Sequence, residues 1–298
     1  MKKKLLFILL NLLLLVIWIR IIDLNAFLNS FKGTEYVYII ISTFLGIITS
    51  LIISFRQKIL IKSAGKNISV FFLWSRGFIT SIASILLPFF SGGLLIAFLI
   101  AQKTKLKYLT VFSLLIIDFL LGLTISFFFA AIATIKWGID NPLVLIGFGG
   151  LVLFFITVVI FTNRDKFKNI VKFNSKTIFK ISSLTIVIFI LGMIQSYLYF
   201  VAFNLHIDLI DFILATSVFG ILGLLPGLPF KLGQYEFMGV ISYVFLLGLN
   251  KDVVSAVLLT QHLVSITVSF AVGLLFVNLL GINLKKLRRV SNNKMVAS

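Results

Sequence analysis

Apolar runs recur along this chain, and each is close to the length a lipid bilayer dictates. A helix needs about 20 residues to cross ~30 Å of hydrocarbon. Runs of that kind cover Leu5 to Ile22, Tyr36 to Phe55, Tyr108 to Ala130, Leu143 to Thr162, Ile181 to Phe203 and Val254 to Ile282. With 60% hydrophobic and only 12% charged residues, a water-soluble fold is excluded. The reading is an all-α polytopic membrane protein with about six full transmembrane helices. The opening "MKKKLLFILLNLLLLVIWIRII" has the look of a secretory signal, but its apolar core is too long and no small-residue cleavage site follows. It reads as a retained first helix.

Two further regions are apolar but broken. The first, "ISVFFLWSRGFITSIASILLPFFSGGLLIAFLIAQKTKLK", is interrupted at Pro88, Gly92 and Gly93. The second is centred on "LLPGLPFKLGQYEF", with Pro226, Gly227, Pro229 and Gly233. Proline and glycine end each first arm, and each remaining arm is too short to span. Both regions read as re-entrant hairpins, a backbone tolerated at membrane depth only where protein buries it or a wet cavity lines it.

Charge supports that reading. With a cytoplasmic N-terminus and two re-entrant hairpins, about 21 of the 27 basic residues fall on the cytoplasmic side. Lys32, Lys136 and Lys251 fall outside, with Asp23, Glu35, Asp140, Asp208, Asp211 and Asp252. Topology therefore accounts for the net charge of +18, and no nucleic-acid partner is required. Residues 1–284 form one integral membrane domain, and 285–298 a basic cytoplasmic tail. The order helix, hairpin, helix occurs twice in opposite orientation, an inverted repeat of the kind transporters use.

Ionisable residues inside such segments cost about 2.5–3.5 kcal/mol each and ask for a reason. Glu236 follows Gly233 by three residues, where a helix restarts. It serves as a helix cap, faces a cavity beside Lys231, or does both. Lys231 is either its ion-pair partner or a contact for lipid phosphate. Asp118 lies near mid-membrane and is either half of a buried pair, with Arg76 as partner, or part of a site wall or proton relay. Arg76 either snorkels to the surface or joins that pair. His262 is a packed core histidine or a pH-sensitive gate. Gln195 and Gln261 suit helix–helix hydrogen bonds.

The chain has no cysteine, and its two histidines, His206 and His262, have no ligand spacing around them. Hydrolase, P-loop, zinc and dinucleotide motifs are absent, so no cofactor and no catalytic residue is expected. The polar segments, each under about twenty residues, are too short for a separate nucleotide- or tRNA-binding domain.

The stretch "LPGLPFKLGQYEF" resembles the integral membrane region of lysylphosphatidylglycerol synthases, the flippase-like domain. There a proline-rich turn leads into Gly-Gly-x-Gly-x-x-Glu, matched here at Pro226, Gly227, Pro229, Gly233 and Glu236. The segments "LLPFFSGGLLIAFLI" and "LLGLNKDVVSAVLLTQHLVS" and the position of Asp118 extend the likeness over nearly the whole chain. Phe230 and Lys231 replace two glycines; Leu115 and His262 stand where relatives often carry arginine. The resemblance implies a flippase moving a phospholipid or polyprenyl-linked lipid between leaflets. Alternatives are the membrane component of a phosphatidylglycerol lysyltransferase, or a scaffold for a membrane glycosyltransferase. The partners expected are anionic and other membrane lipids and a separate lipid-modifying enzyme, in the plasma membrane with both termini cytoplasmic.

Overall fold

The computed structural model describes residues 16–86, 91–135, 175–223 and 233–280. Its helices are α1 (Leu24–Asn29), α2 (Tyr36–Ser63), α3 (Val70–Leu86), α4 (Ser91–Thr104), α5 (Tyr108–Ile135), α6 (Ser175–Ala202), α7 (Leu209–Leu222), α8 (Gln234–Gly239) and α9 (Lys251–Leu279). A π-helical turn, Val240–Phe245, continues α8. The described residues contain no strand. Four helices, α2, α5, α6 and α9, are long and apolar enough to cross a membrane, and α3, α4 and α7 are shorter apolar helices. The chain is an all-helical multi-pass membrane protein. The span expected at 143–162, most of the one at 5–22, and the 285–298 tail lie outside the described residues.

Local chemistry starts these helices. Asp23, Asp208 and Asn250 are N-caps whose side chains accept from backbone amides of the first turn. The caps also sort the ends of the bundle. The Asp23 amide donates to Asp252 Oδ1 at 2.9 Å, and the Glu35 amide donates to the Ala202 carbonyl at 2.8 Å. Phe31 packs edge-on against Phe203, 5.4 Å between centroids. The loop before α7 and the start of α9 therefore share one end of the molecule with the start of α2. The second hairpin leaves from that end and returns to it.

The other end repeats the arrangement. Ile61 at the close of α2, Ile68 before α3, Ala101 in α4 and Val111 in α5 belong to one buried cluster, against which Leu106 packs. The first hairpin thus also begins and ends on one face. Helix α2 has 28 residues, about 42 Å at 1.5 Å per residue. It connects the two ends, so the hairpins enter from opposite faces.

Each half has its own core: Ile61, Leu73, Ile100 and Val111 in the first, Tyr199, Phe212, Tyr243 and Leu258 in the second. The halves are then interleaved. Helix α3 packs along α9, α7 along α5, and α2 along α6. A Cβ at Gly273 of α9 would lie 3.0 Å from the Phe78 carbonyl of α3, so glycine permits that approach.

Helix α2 corrects one expectation. The span expected to end at Phe55 continues as helix to Ser63, and Arg56 within it is buried. Gly92 and Gly93, expected as part of the break, stand in the first turn of α4. Gly92 is there because α3 leaves no room: a Cβ would collide with Ser84 Oγ and the Thr80 carbonyl. A Cβ at Gly93 meets nothing within 4 Å. Pro88, Pro226, Gly227, Pro229 and Lys231 lie outside the described residues.

Candidate functional site

Each half holds one buried pair of ionisable side chains. In the first half, Arg56 Nε lies 2.6 Å from Asp118 Oδ1, with both side chains under 10% exposed. Arg56 also donates to Thr185 Oγ1 of α6 at 3.0 Å, and Gln57 Nε2 donates to Asp118 Oδ2 at 3.4 Å. The partner of Asp118 is therefore Arg56 rather than Arg76. The buried carboxylate is paired with the cation that α2 already aims at it. Arg76 is partly buried, and its guanidinium carbon sits 5.2 Å from the Phe72 ring centroid one turn back.

In the second half, Gly233 adopts φ +81°, a left-handed conformation suited to glycine. Its amide donates to Glu236 Oε2 at 2.7 Å, the reciprocal arm of a capping box. The other carboxylate oxygen, Oε1, is 2.8 Å from His262 Nδ1. Tyr235 stacks on the His262 ring, centroids 4.5 Å apart. Glu236 is 0% exposed, so both its oxygens are spent inside the protein. His262 of α9 is thus the side-chain partner of Glu236.

The repeat reaches individual residues. Gln57 and Ser196 each lie 21 positions after the first residue of their helices, Tyr36 and Ser175. Asp118 and Gln261 each lie ten positions after Tyr108 and Lys251. Gln57 contacts Asp118, and Gln261 Nε2 reaches Ser196 Oγ at 3.5 Å. The same two helix positions meet in both halves, with different side chains, so sequence comparison alone conceals the match.

Two adjoining clefts run along α2. Each encloses about 290 Å³ and is open on one side, and they share Ser50, Ile53, Phe78 and Ser81. The first lies among α2, α3, α6 and α9, with Thr43, Gln195, Tyr199, Ser265 and Ser269 on its walls. The second lies among α2, α3 and α4, with Ser54, Gln57, Trp74, Thr80 and Ser84. From Thr43 to Gln57 the lining extends about 21 Å along the helix, most of the hydrocarbon thickness. Among the described residues none that lines the clefts is charged. Of the anticipated site residues, Asp118 touches the clefts only through Gln57, and Glu236, His262 and Arg76 do not line them.

The hydroxyl lining escaped the reading of the sequence. Its signal is the heptad Thr43, Ser50, Gln57 on one stripe of an otherwise apolar helix, matched by Trp74, Gly77, Ser81 and Ser84 on α3.

A known family covers this architecture. The lysylphosphatidylglycerol synthase TM region matches residues 4–273. The chain belongs to that family. The match takes in both hairpins and both charge pairs, so the family region and the interleaved fold coincide. No curated protein matches the sequence.

Proposed function

We propose that this member of the lysylphosphatidylglycerol synthase TM region family is a lipid translocator. It passes a polar head group between leaflets along the clefts while the acyl chains stay in the bilayer. The observation that carries this reading is the row of polar side chains, Thr43, Thr49, Ser50, Ser54 and Gln57, set among apolar lining residues along about 21 Å of α2, most of the hydrocarbon thickness. A head group alone in hydrocarbon loses its hydrogen bonds at several kcal/mol each, and such a wall replaces them. The inverted, interleaved halves supply the two arrangements alternating access needs, since one half rocking on the other exposes each end in turn. The Arg56–Asp118 pair ties α2 to α5, and the Glu236–His262 contact ties the second hairpin to α9, which favours motion of each half as a unit. Residues 1–284 act as the transport unit in the plasma membrane, with the basic loops and the 285–298 tail in the cytoplasm.

The test is reconstitution of the purified chain into vesicles with fluorescent lipids in one leaflet. Leaflet exchange well above that of protein-free vesicles supports the reading. Exchange no faster than in empty vesicles, across neutral, anionic and cationic head groups, rejects it.

A further inference from the structure

The buried ionisable groups are paired within the protein, and the described cleft lining carries no charge. Arg56 neutralises Asp118 behind Gln57, and His262 occupies Glu236. A cationic head group in the clefts finds no free carboxylate, and an anionic one finds no free cation on the lining. Charge at that depth without a partner is strongly disfavoured.

The hydroxyls narrow the chemistry further. Thr43 donates to the Ile39 carbonyl at 2.8 Å, Ser50 to Ile47 at 2.7 Å, Ser54 to Ser50 at 2.9 Å, and Ser81 to Gly77 at 3.0 Å. Each proton is committed to the helix that carries it, so each oxygen offers lone pairs to an occupant. Ser50 Oγ also accepts from Trp74 Nε1 at 2.8 Å, which fixes one wall of the cleft. These hydroxyl oxygens, beside the Gln57 and Gln195 amides and set among apolar lining residues, complement a group with many hydroxyls, an apolar ring face and no net charge.

We infer that the clefts bind the uncharged polyol head of a glycosylated lipid, such as a hexosyl group, in preference to a charged head group. This rests on the translocator reading and names its substrate class. The aminoacyl lipid that the family name suggests is correspondingly disfavoured at this site.

Binding is tested apart from transport. Trp74 lines the second cleft, and Trp18→Phe with Trp137→Phe leaves it as the single reporter. The full chain in nanodiscs is titrated with monohexosyl-diacylglycerol, lysyl-phosphatidylglycerol or phosphatidylserine while Trp74 emission is followed. The expected result is a saturable spectral shift with the hexosyl lipid at a concentration at least about tenfold below either charged lipid. Ser81→Leu, which fills the shared wall, abolishes the shift, and the near-isosteric Thr43→Val weakens it with helical content unchanged. Equal or tighter binding of a charged lipid overturns the inference, as does an unaltered hexosyl response in both variants. Leaflet exchange of charged lipids alone, with no hexosyl shift, leaves the translocator reading standing and removes this one. A hexosyl shift without exchange of any lipid supports the binding site and rejects translocation.

Discussion

Arg56 of α2 and Asp118 of α5, 62 positions apart in sequence, meet at 2.6 Å inside the membrane region. Neither is viable there alone. Removing one partner of a buried pair costs about 3–5 kcal/mol, because the other charge is left without compensation. Asp118→Asn is expected to lower the melting temperature sharply in detergent. Arg56→Met combined with Asp118→Leu is expected to recover most of the loss. Thermal unfolding followed by circular dichroism checks both, and a double variant no better than the single one contradicts the pairing.

Glu236 is bound at both oxygens, so its substitutions separate by chemistry. Glu236→Gln keeps an acceptor for the Gly233 amide and a neutral group beside His262. Glu236→Ala orphans both and is expected to cost about 1–3 kcal/mol more. Hydrogen exchange of the α8 amides is the measurement: protection falls markedly in the alanine variant and modestly in the glutamine one.

The neighbouring glycines of α4 differ in the same way. Gly92→Val collides with Ser84 and the Thr80 carbonyl, and overpacking of that kind costs about 1–3 kcal/mol. Gly93→Ala meets nothing and gains helix propensity, up to about 1 kcal/mol. Opposite shifts in melting temperature are expected for two adjacent positions. Equal shifts would mean the arms of the first hairpin do not touch at Gly92.

Topology is accessible because the chain has no cysteine, so single cysteines need no background removal. Lys66→Cys and Lys103→Cys flank the first hairpin, and His206→Cys and Lys251→Cys flank the second; all four positions are exposed. A membrane-impermeant maleimide is expected to label the first two from one face and the last two from the other. Labelling of Lys66→Cys and Lys103→Cys from different faces contradicts re-entry.

Much of this fold was legible because bilayer thickness imposes lengths that composition reveals. The spans read from Tyr36 and Tyr108 start where their helices start, and the one read from Ile181 begins six residues into α6. The site was less legible, for two reasons. A charge at a helix end and a charge in a buried pair look alike in sequence, so the expected span stops at Phe55, one residue short of Arg56, and Arg76 is read as the partner of Asp118. Serine and threonine barely lower mean hydropathy, so the stripe through Thr43 and Ser50 disappears into its apolar helix. Their hydroxyls bond to their own helix carbonyls, which makes them acceptable in lipid and inconspicuous to any average.

The central claim is that a polar head group travels the clefts along α2. The most direct measurement is the rate of leaflet exchange of a fluorescent hexosyl lipid in vesicles holding Ser81→Leu, beside vesicles holding Ile40→Leu. Ser81 lines both clefts, and Ile40 lies exposed on the same long helix, 56% accessible and away from the cleft lining. The account predicts exchange near the protein-free rate for Ser81→Leu and wild-type exchange for Ile40→Leu. Wild-type exchange with the shared wall filled would contradict it.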